Sequence, residues 1–149
     1  MEVDNIPNTV SIGKETLQKK SSFHVSLLCV KDILATKNIP EQEILGAFCA
    51  FTADNDISFV GHTGEFRFAQ HEDRKTLVAL CGVSNLERLF TFLNERFSVT
   101  LTTQPTHVTL YTLQPDIGIG LNTPTDMETK SVLVEVPTAL KEALGVSQE

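Results

Sequence analysis

The sequence predicts an α+β fold built mainly on antiparallel sheet. Three observations carry this. Short runs rich in apolar and β-branched residues recur along the chain, bounded by Gly, Pro, Asn and Asp. Two longer stretches repeat their apolar residues at helical spacing. The elements come in the order β-α-β-β-β-α-β-β-β-α, with strands in runs rather than in strict alternation with helices. The length, 149 residues, predicts a single domain over 1–149.

The first twenty-two residues are polar and weakly patterned, and part of them is expected to be flexible. Val10 and Ile12 alternate with polar neighbours there, as in an edge strand. Segment 23–30 (FHVSLLCV) reads as a buried strand. Asn38 and Pro40 suit a helix start with the proline in the first turn. Ile44, Leu45, Phe48 and Cys49 then share one face of a helix over about 40–53, which Asp54-Asn55-Asp56 breaks. Strands follow at 57–60, 64–70 and 75–81, with turns at 61–64 and 71–74. Ser84 and Glu87 have capping-box spacing, and Leu86, Leu89, Phe90, Leu93 and Phe97 follow at helical intervals. Residues 106–112 and 132–136 read as strands, and Ile117 to Leu121 as a short one. Pro137 opens a helix over 138–144.

Composition narrows the function. With 41% hydrophobic and 21% charged residues, disorder of the whole chain is excluded. The longest apolar run falls well short of the roughly 18–20 residues a membrane-spanning helix needs. MEVDNIPNTVSIGKE lacks an apolar h-region, so no secretory leader is expected. Cys29, Cys49 and Cys81 are odd in number, unpaired in spacing and set among apolar residues. They read as buried free thiols in a reducing, cytoplasmic setting rather than as disulfides or zinc ligands. Twelve basic against nineteen acidic residues give a net charge of −7. Long nucleic acids call for a basic face, so a small nucleotide or short RNA end fits better than a duplex. The phosphate-loop, dinucleotide, nucleophile-elbow and zinc-protease motifs are all absent from the sequence. The chain is expected to act as a monomer, without cofactor or metal and away from membranes.

Two of the four histidines sit in near-copies of one motif, His24-Val25-Ser26-Leu27 and His107-Val108-Thr109-Leu110. Residues i and i+2 of a strand share a face. His24 therefore points with Ser26 and His107 with Thr109, while Val25 and Val108 point to a core. Two such strands together set two imidazoles around a space lined by two hydroxyls. Imidazole titrates at about pH 6.5, so one ring can take a proton while the other gives one. The hydroxyls can stabilise charge developing on phosphate oxygens. This is the chemistry of metal-independent phosphodiester cleavage. Which ring is base and which is acid stays open at this point.

The paired His-x-(Ser/Thr)-x motifs resemble the signature of the 2H phosphoesterase superfamily, over about residues 23–136. That superfamily includes the "2'-5' RNA ligase" group of cyclic phosphodiesterases, viral 2'-5' oligoadenylate phosphodiesterases and phage enzymes that cut cyclic nucleotide signals. The resemblance implies a two-lobed α+β domain with pseudo-twofold symmetry and a central cleft. It implies catalysis by His24 and His107 and phosphate binding by Ser26 and Thr109. The first copy carries Ser in place of the commoner Thr and keeps the hydroxyl. The implied substrates are RNA-type 2',3'-cyclic phosphates or 2'-5' bonds, with cyclic oligonucleotide signals as the alternative. A module that binds nucleotide without cutting it is the rival reading.

Weaker candidates surround these four. Tyr111 lies two residues beyond Thr109, so it is expected on the same face and in reach of a base or phosphate. Arg67, which alternates with Phe66 and Phe68, is a candidate for substrate binding. It, Arg74 and Lys75 lie on or beside the central strands as candidates to supply positive charge to a phosphate, with solvated turn cations as the plainer reading. Phe23 is expected in the core, His62 and His71 in surface turns, and Gly118, Gly120 and Asn122 in a rim after the second motif.

Overall fold

The computed structural model describes residues 6–27, 34, 38–115, 117–121 and 123–145. Its strands are β1 (Thr9–Ile12), β2 (Glu15–Lys19), β3 (Phe59–His71), β4 (Arg74–Val83), β5 (His107–Thr112) and β6 (Ser131–Leu133). Its helices are α1 (Glu41–Asp54), α2 (Leu86–Phe97), α3 (Pro124–Lys130) and α4 (Thr138–Ala143). The strands form one antiparallel sheet in the order β1-β2-β5-β4-β3-β6. The α+β class with antiparallel sheet is therefore observed.

Local chemistry explains the hairpins. Ile12 pairs with Glu15, and Gly13 takes φ +60° at the first position of the two-residue turn, where a side chain would be strained. The polar N-terminal stretch thus supplies two strands, with β1 at the sheet edge as its alternation predicts. β3 and β4 meet at a second two-residue turn between His71 and Arg74. Segments 57–60 and 64–70 are not separate strands. A single strand runs through Gly61 and Gly64, and the expected turn survives as a register irregularity between His62 and Phe66. The run 117–121 is not a strand, and α3, absent from the sequence reading, follows it with Thr123 Oγ1 accepting from Asp126 N.

The three expected helices form, with corrections at the ends and faces of the first two. In α1, Ile44, Ala47 and Phe51 are buried, whereas Leu45 and Cys49 turn outward. Ala47 completes the i, i+3, i+7 stripe that the larger residues had suggested two positions away. The capping box does not form. Ser84 Oγ instead accepts from Ser58 N and donates to Asp56 O, and Asn85 begins α2 at φ 61° with no side-chain cap. Past that start the stripe holds: Leu86, Leu89, Phe90 and Leu93 are buried.

The sheet has two differently covered faces. Leu17, Phe66, Leu77, Ala79, Val108 and Tyr111 form one core with Leu140 and Leu144 from the α4 region. On the other face, Ile119, Leu121 and Met127 pack with Ala69, Val78 and the half-buried Leu80. Helices α1 and α2 build a separate cluster, with the Phe51 and Phe92 rings 5.7 Å apart. Of the expected buried cysteines, Cys81 is buried, Cys49 is exposed and Cys29 lies outside the described residues.

Leu89 is fully buried, so Leu89→Ala should cost about 2–5 kcal/mol of unfolding free energy. Leu133 is 60% exposed on β6, and Leu133→Ala should change stability by no more than about 0.5 kcal/mol. Urea unfolding of both variants checks the packing assignment.

Candidate functional site

The site begins with how the first motif reaches β5. Strand β2 pairs with β5 at Gln18–Thr112 and Lys19–Tyr111, and Lys20 N donates to Leu110 O. The chain then bows out and returns, with Val25 opposite Val108 in an antiparallel bridge. From Lys19 to Val25 it advances six residues while β5 retreats three, so three residues are looped out. The strand expected over 23–30 is not observed: among its described residues, 23–27, only Val25 makes a bridge, and 28–30 lie outside the described residues. Phe23 and Val25 pack on the sheet core, as expected, and Leu27 packs on the α1–α2 cluster.

This bridge fixes the relative position of the two motifs. Antiparallel pairing through Val25 and Val108 sets His24 across from Thr109 and Ser26 across from His107. His107 and Thr109, paired with Leu80 and Val78, lie on the sheet face opposite Val108. In a regular antiparallel pair, directly opposed residues have Cβ atoms about 4.5–5.5 Å apart and diagonal ones about 7–8 Å. The arrangement has a local two-fold axis through the valine pair. His24 and Ser26 are exposed, Thr109 is half-buried, and His107 is only 9% exposed.

The two imidazoles thus occupy unlike environments. His107 Nδ1 lies 3.3 Å from Pro105 O. A carbonyl only accepts, so this contact holds the proton on Nδ1 and leaves Nε2 of the neutral ring with a lone pair. Burial pushes the His107 pKa below the ordinary 6.5, outweighing the Pro105 carbonyl, and the neighbouring charge of His24 pushes it further down. Protonation is therefore resisted in the folded chain. This group makes stability fall as pH drops below about 6.5, where the unfolded chain takes up the proton more readily.

The weaker candidates separate cleanly. Tyr111 is not on the motif face. Thr109 pairs with Val78 but Tyr111 with Leu77, so Leu110 is an extra residue that turns Tyr111 to the opposite side. There it has no exposure, its hydroxyl donates to Pro7 O at 2.7 Å, and burial pushes its pKa up to about 12. Arg67 shares the motif face, in the row Arg67–Val78–Thr109, two strands from Thr109. Its guanidinium turns the other way and donates to Ser131 Oγ (2.7 Å) and Ser131 O (3.0 Å). Lys75 pairs with Glu15, and Arg74 donates to Gly118 O. His62 is on β3 rather than in a turn, edge-on to the Phe59 ring, and burial lowers its pKa. His71 ends β3 beside Glu72. Asn122 lies outside the described residues.

A cleft of about 790 Å³ lies beside the motifs, lined by Arg67, Asn85, Arg88, Gln104, Pro105 and Met127 among others. Neither motif histidine lines it, so its size alone does not make it the reaction centre. Its wall nevertheless includes Gln104, Pro105 and Thr106, the three residues that lead into His107. Gln104 escaped the sequence reading. Its Nε2 donates to Ser26 O at 3.2 Å, across 78 residues of chain, a link that no local pattern signals.

Among the described residues, no group of three or more His, Cys, Asp or Glu is arranged to hold a metal ion. None of the described helices is long and apolar enough to cross a membrane. Comparison with known proteins gives no match, whether to family models, to curated proteins or to solved structures.

Two outcomes follow. In an NMR titration His107 should show its midpoint below pH 6.5, and His24→Asn should move that midpoint up by removing a like charge. Tyr111→Phe should cost about 0.5–1.5 kcal/mol in urea unfolding, through the lost bond to Pro7, and leave the His107 midpoint where it was.

Proposed function

We propose that this protein is a metal-independent phosphodiesterase of the 2H type. Its substrates would be small nucleotides or short RNA ends with 2',3'-cyclic or 2'-5' phosphodiester bonds. The observation that carries the reading is the Val25–Val108 bridge, which puts the two motifs side by side in opposite directions on one sheet face. A two-lobed domain with its reaction centre between the lobes belongs to the same proposal.

The unlike environments of the histidines divide the work. His107 is the general base: neutral, with Nε2 available because Pro105 holds the proton on Nδ1. His24, exposed to solvent, is the proton donor. In hydrolysis of a cyclic phosphate, His107 takes a proton from water and the water oxygen bonds to phosphorus. The bond from phosphorus to one ribose oxygen breaks, and His24 gives that oxygen a proton. The product is a phosphomonoester. Ser26 and Thr109 donate hydrogen bonds to the non-bridging oxygens as charge builds there. A tetrahedral phosphorus with its entering and leaving oxygens spans the diagonal between the two rings.

The test is turnover in EDTA of 2',3'-cyclic nucleotides, 2'-5' and 3'-5' dinucleotides and cyclic dinucleotides. Each is run beside His24→Ala and His107→Ala. Each variant should lose at least about 10²-fold in rate on the substrate the protein cleaves. The rising limb of the kcat/KM profile should have its midpoint below pH 6.5, because His107 must be neutral in the free enzyme. Near-normal turnover by either variant would sink the mechanism. Binding of these nucleotides without turnover would replace it with a non-catalytic nucleotide module.

A further inference from the structure

Few polar contacts among the described residues join the first motif to the second. Within the described residues 23–27, its ladder contact to β5 is the single bridge at Val25. Phe23 and Val25 also pack on the sheet core and Leu27 on the α1–α2 cluster, and one side chain adds a polar link. Gln104 is 3% exposed, in the loop between α2 and β5, and its Nε2 donates to Ser26 O at 3.2 Å. A buried amide is retained in such a place only when bonded, so this contact has one geometry. The next residue, Pro105, offers its carbonyl to His107 Nδ1. Two consecutive residues therefore touch both motifs, the backbone of one and the imidazole of the other.

We propose that Gln104 is a positioning residue that, with Pro105, clasps the two motif strands and sets the separation of His24 from His107. This rests on the phosphodiesterase reading, in which both imidazoles must meet one phosphorus centre at once. Gln104 need not touch substrate for the effect to be large. Without its bond the His24 segment would be held to β5 by the Val25 bridge and apolar packing alone, and a displacement of about 1 Å at a reacting group can cost about 10²-fold in rate. Neither the two-fold pairing of the motifs nor the tautomer at His107 requires a glutamine here. The role belongs to this one side chain.

Two substitutions test it. Gln104→Met keeps length and bulk without a donor, and Gln104→Glu keeps the shape but turns an acceptor toward Ser26 O. Both should lower kcat by about 10–10²-fold while KM changes by less than about threefold. A second readout needs no activity: the rise in the His107 midpoint caused by His24→Asn, measured by NMR with and without each Gln104 substitution. A clasp predicts that this rise shrinks in both, because His24 is no longer held beside His107. A rise that keeps its full size overturns the proposal, whatever happens to turnover or to the urea midpoint. If the unsubstituted protein cleaves nothing in the panel, the phosphodiesterase reading falls, and the NMR comparison still decides whether Gln104 sets the spacing.

Discussion

The pairing of Val25 with Val108 is the constraint on which the candidate site depends. Side chains alternate along a strand, so anchoring one residue of each motif in the core aims its neighbours at the other face. Val108 has no exposure and lies between Val25 and Ala79, both part of the same core. A slip of one residue would bury His24 and Ser26 and expose Val25, exchanging apolar burial for polar burial. The same register that stabilises the core therefore holds the imidazoles and hydroxyls together. The three looped-out residues between Lys19 and Val25 make the register independent of β2. The first motif can take its own offset on β5 without disturbing the β2 ladder.

The motif was legible because it is local: His-x-Ser and His-x-Thr with apolar residues between need only the period of a strand. Helix α2 was legible for the same reason, its stripe running through Leu86, Leu89, Phe90 and Leu93. What the sequence misassigned depends on partners far along the chain. Tyr111 follows Thr109 by two residues, yet the extra residue Leu110 reverses its face, and that bulge exists only against Leu77 and Val78 of β4. Ser84 has the spacing of a cap, but Asp56 and Ser58 take its hydroxyl first. Gly61 and Gly64 look like turn residues because glycine permits turns. The β4 strand beside them instead carries them through as an irregular stretch of one strand.

Within the site, burial creates a difference between two copies of one motif. His107 loses water to its neighbours and receives a carbonyl at Nδ1, while His24 stays in solvent. Desolvation disfavours the charged ring. Burial and the neighbouring His24 charge both hold the His107 ring toward its neutral form. On the proposed reading this is the state the reaction needs. Each turnover returns to it, because the donor ends neutral and the base ends charged until they exchange protons with solvent.

Charge also bears on what the site would hold. The chain carries −7 overall, so its long-range field does not attract a polyanion. The cations near the motifs are largely engaged: Arg67 with Ser131, Lys75 with Glu15 and Arg74 with Gly118. In the cleft, Arg67 and Arg88 face Glu87 and Glu128, two of each sign. Recognition of a phosphate would then rest on short-range donors, the Ser26 and Thr109 hydroxyls and a protonated imidazole, rather than on a basic surface. Such donors reach one phosphate and add little for each further one along a strand. A site built this way gains little from a longer nucleic acid and meets more repulsion from it. That is the physical case for a short substrate.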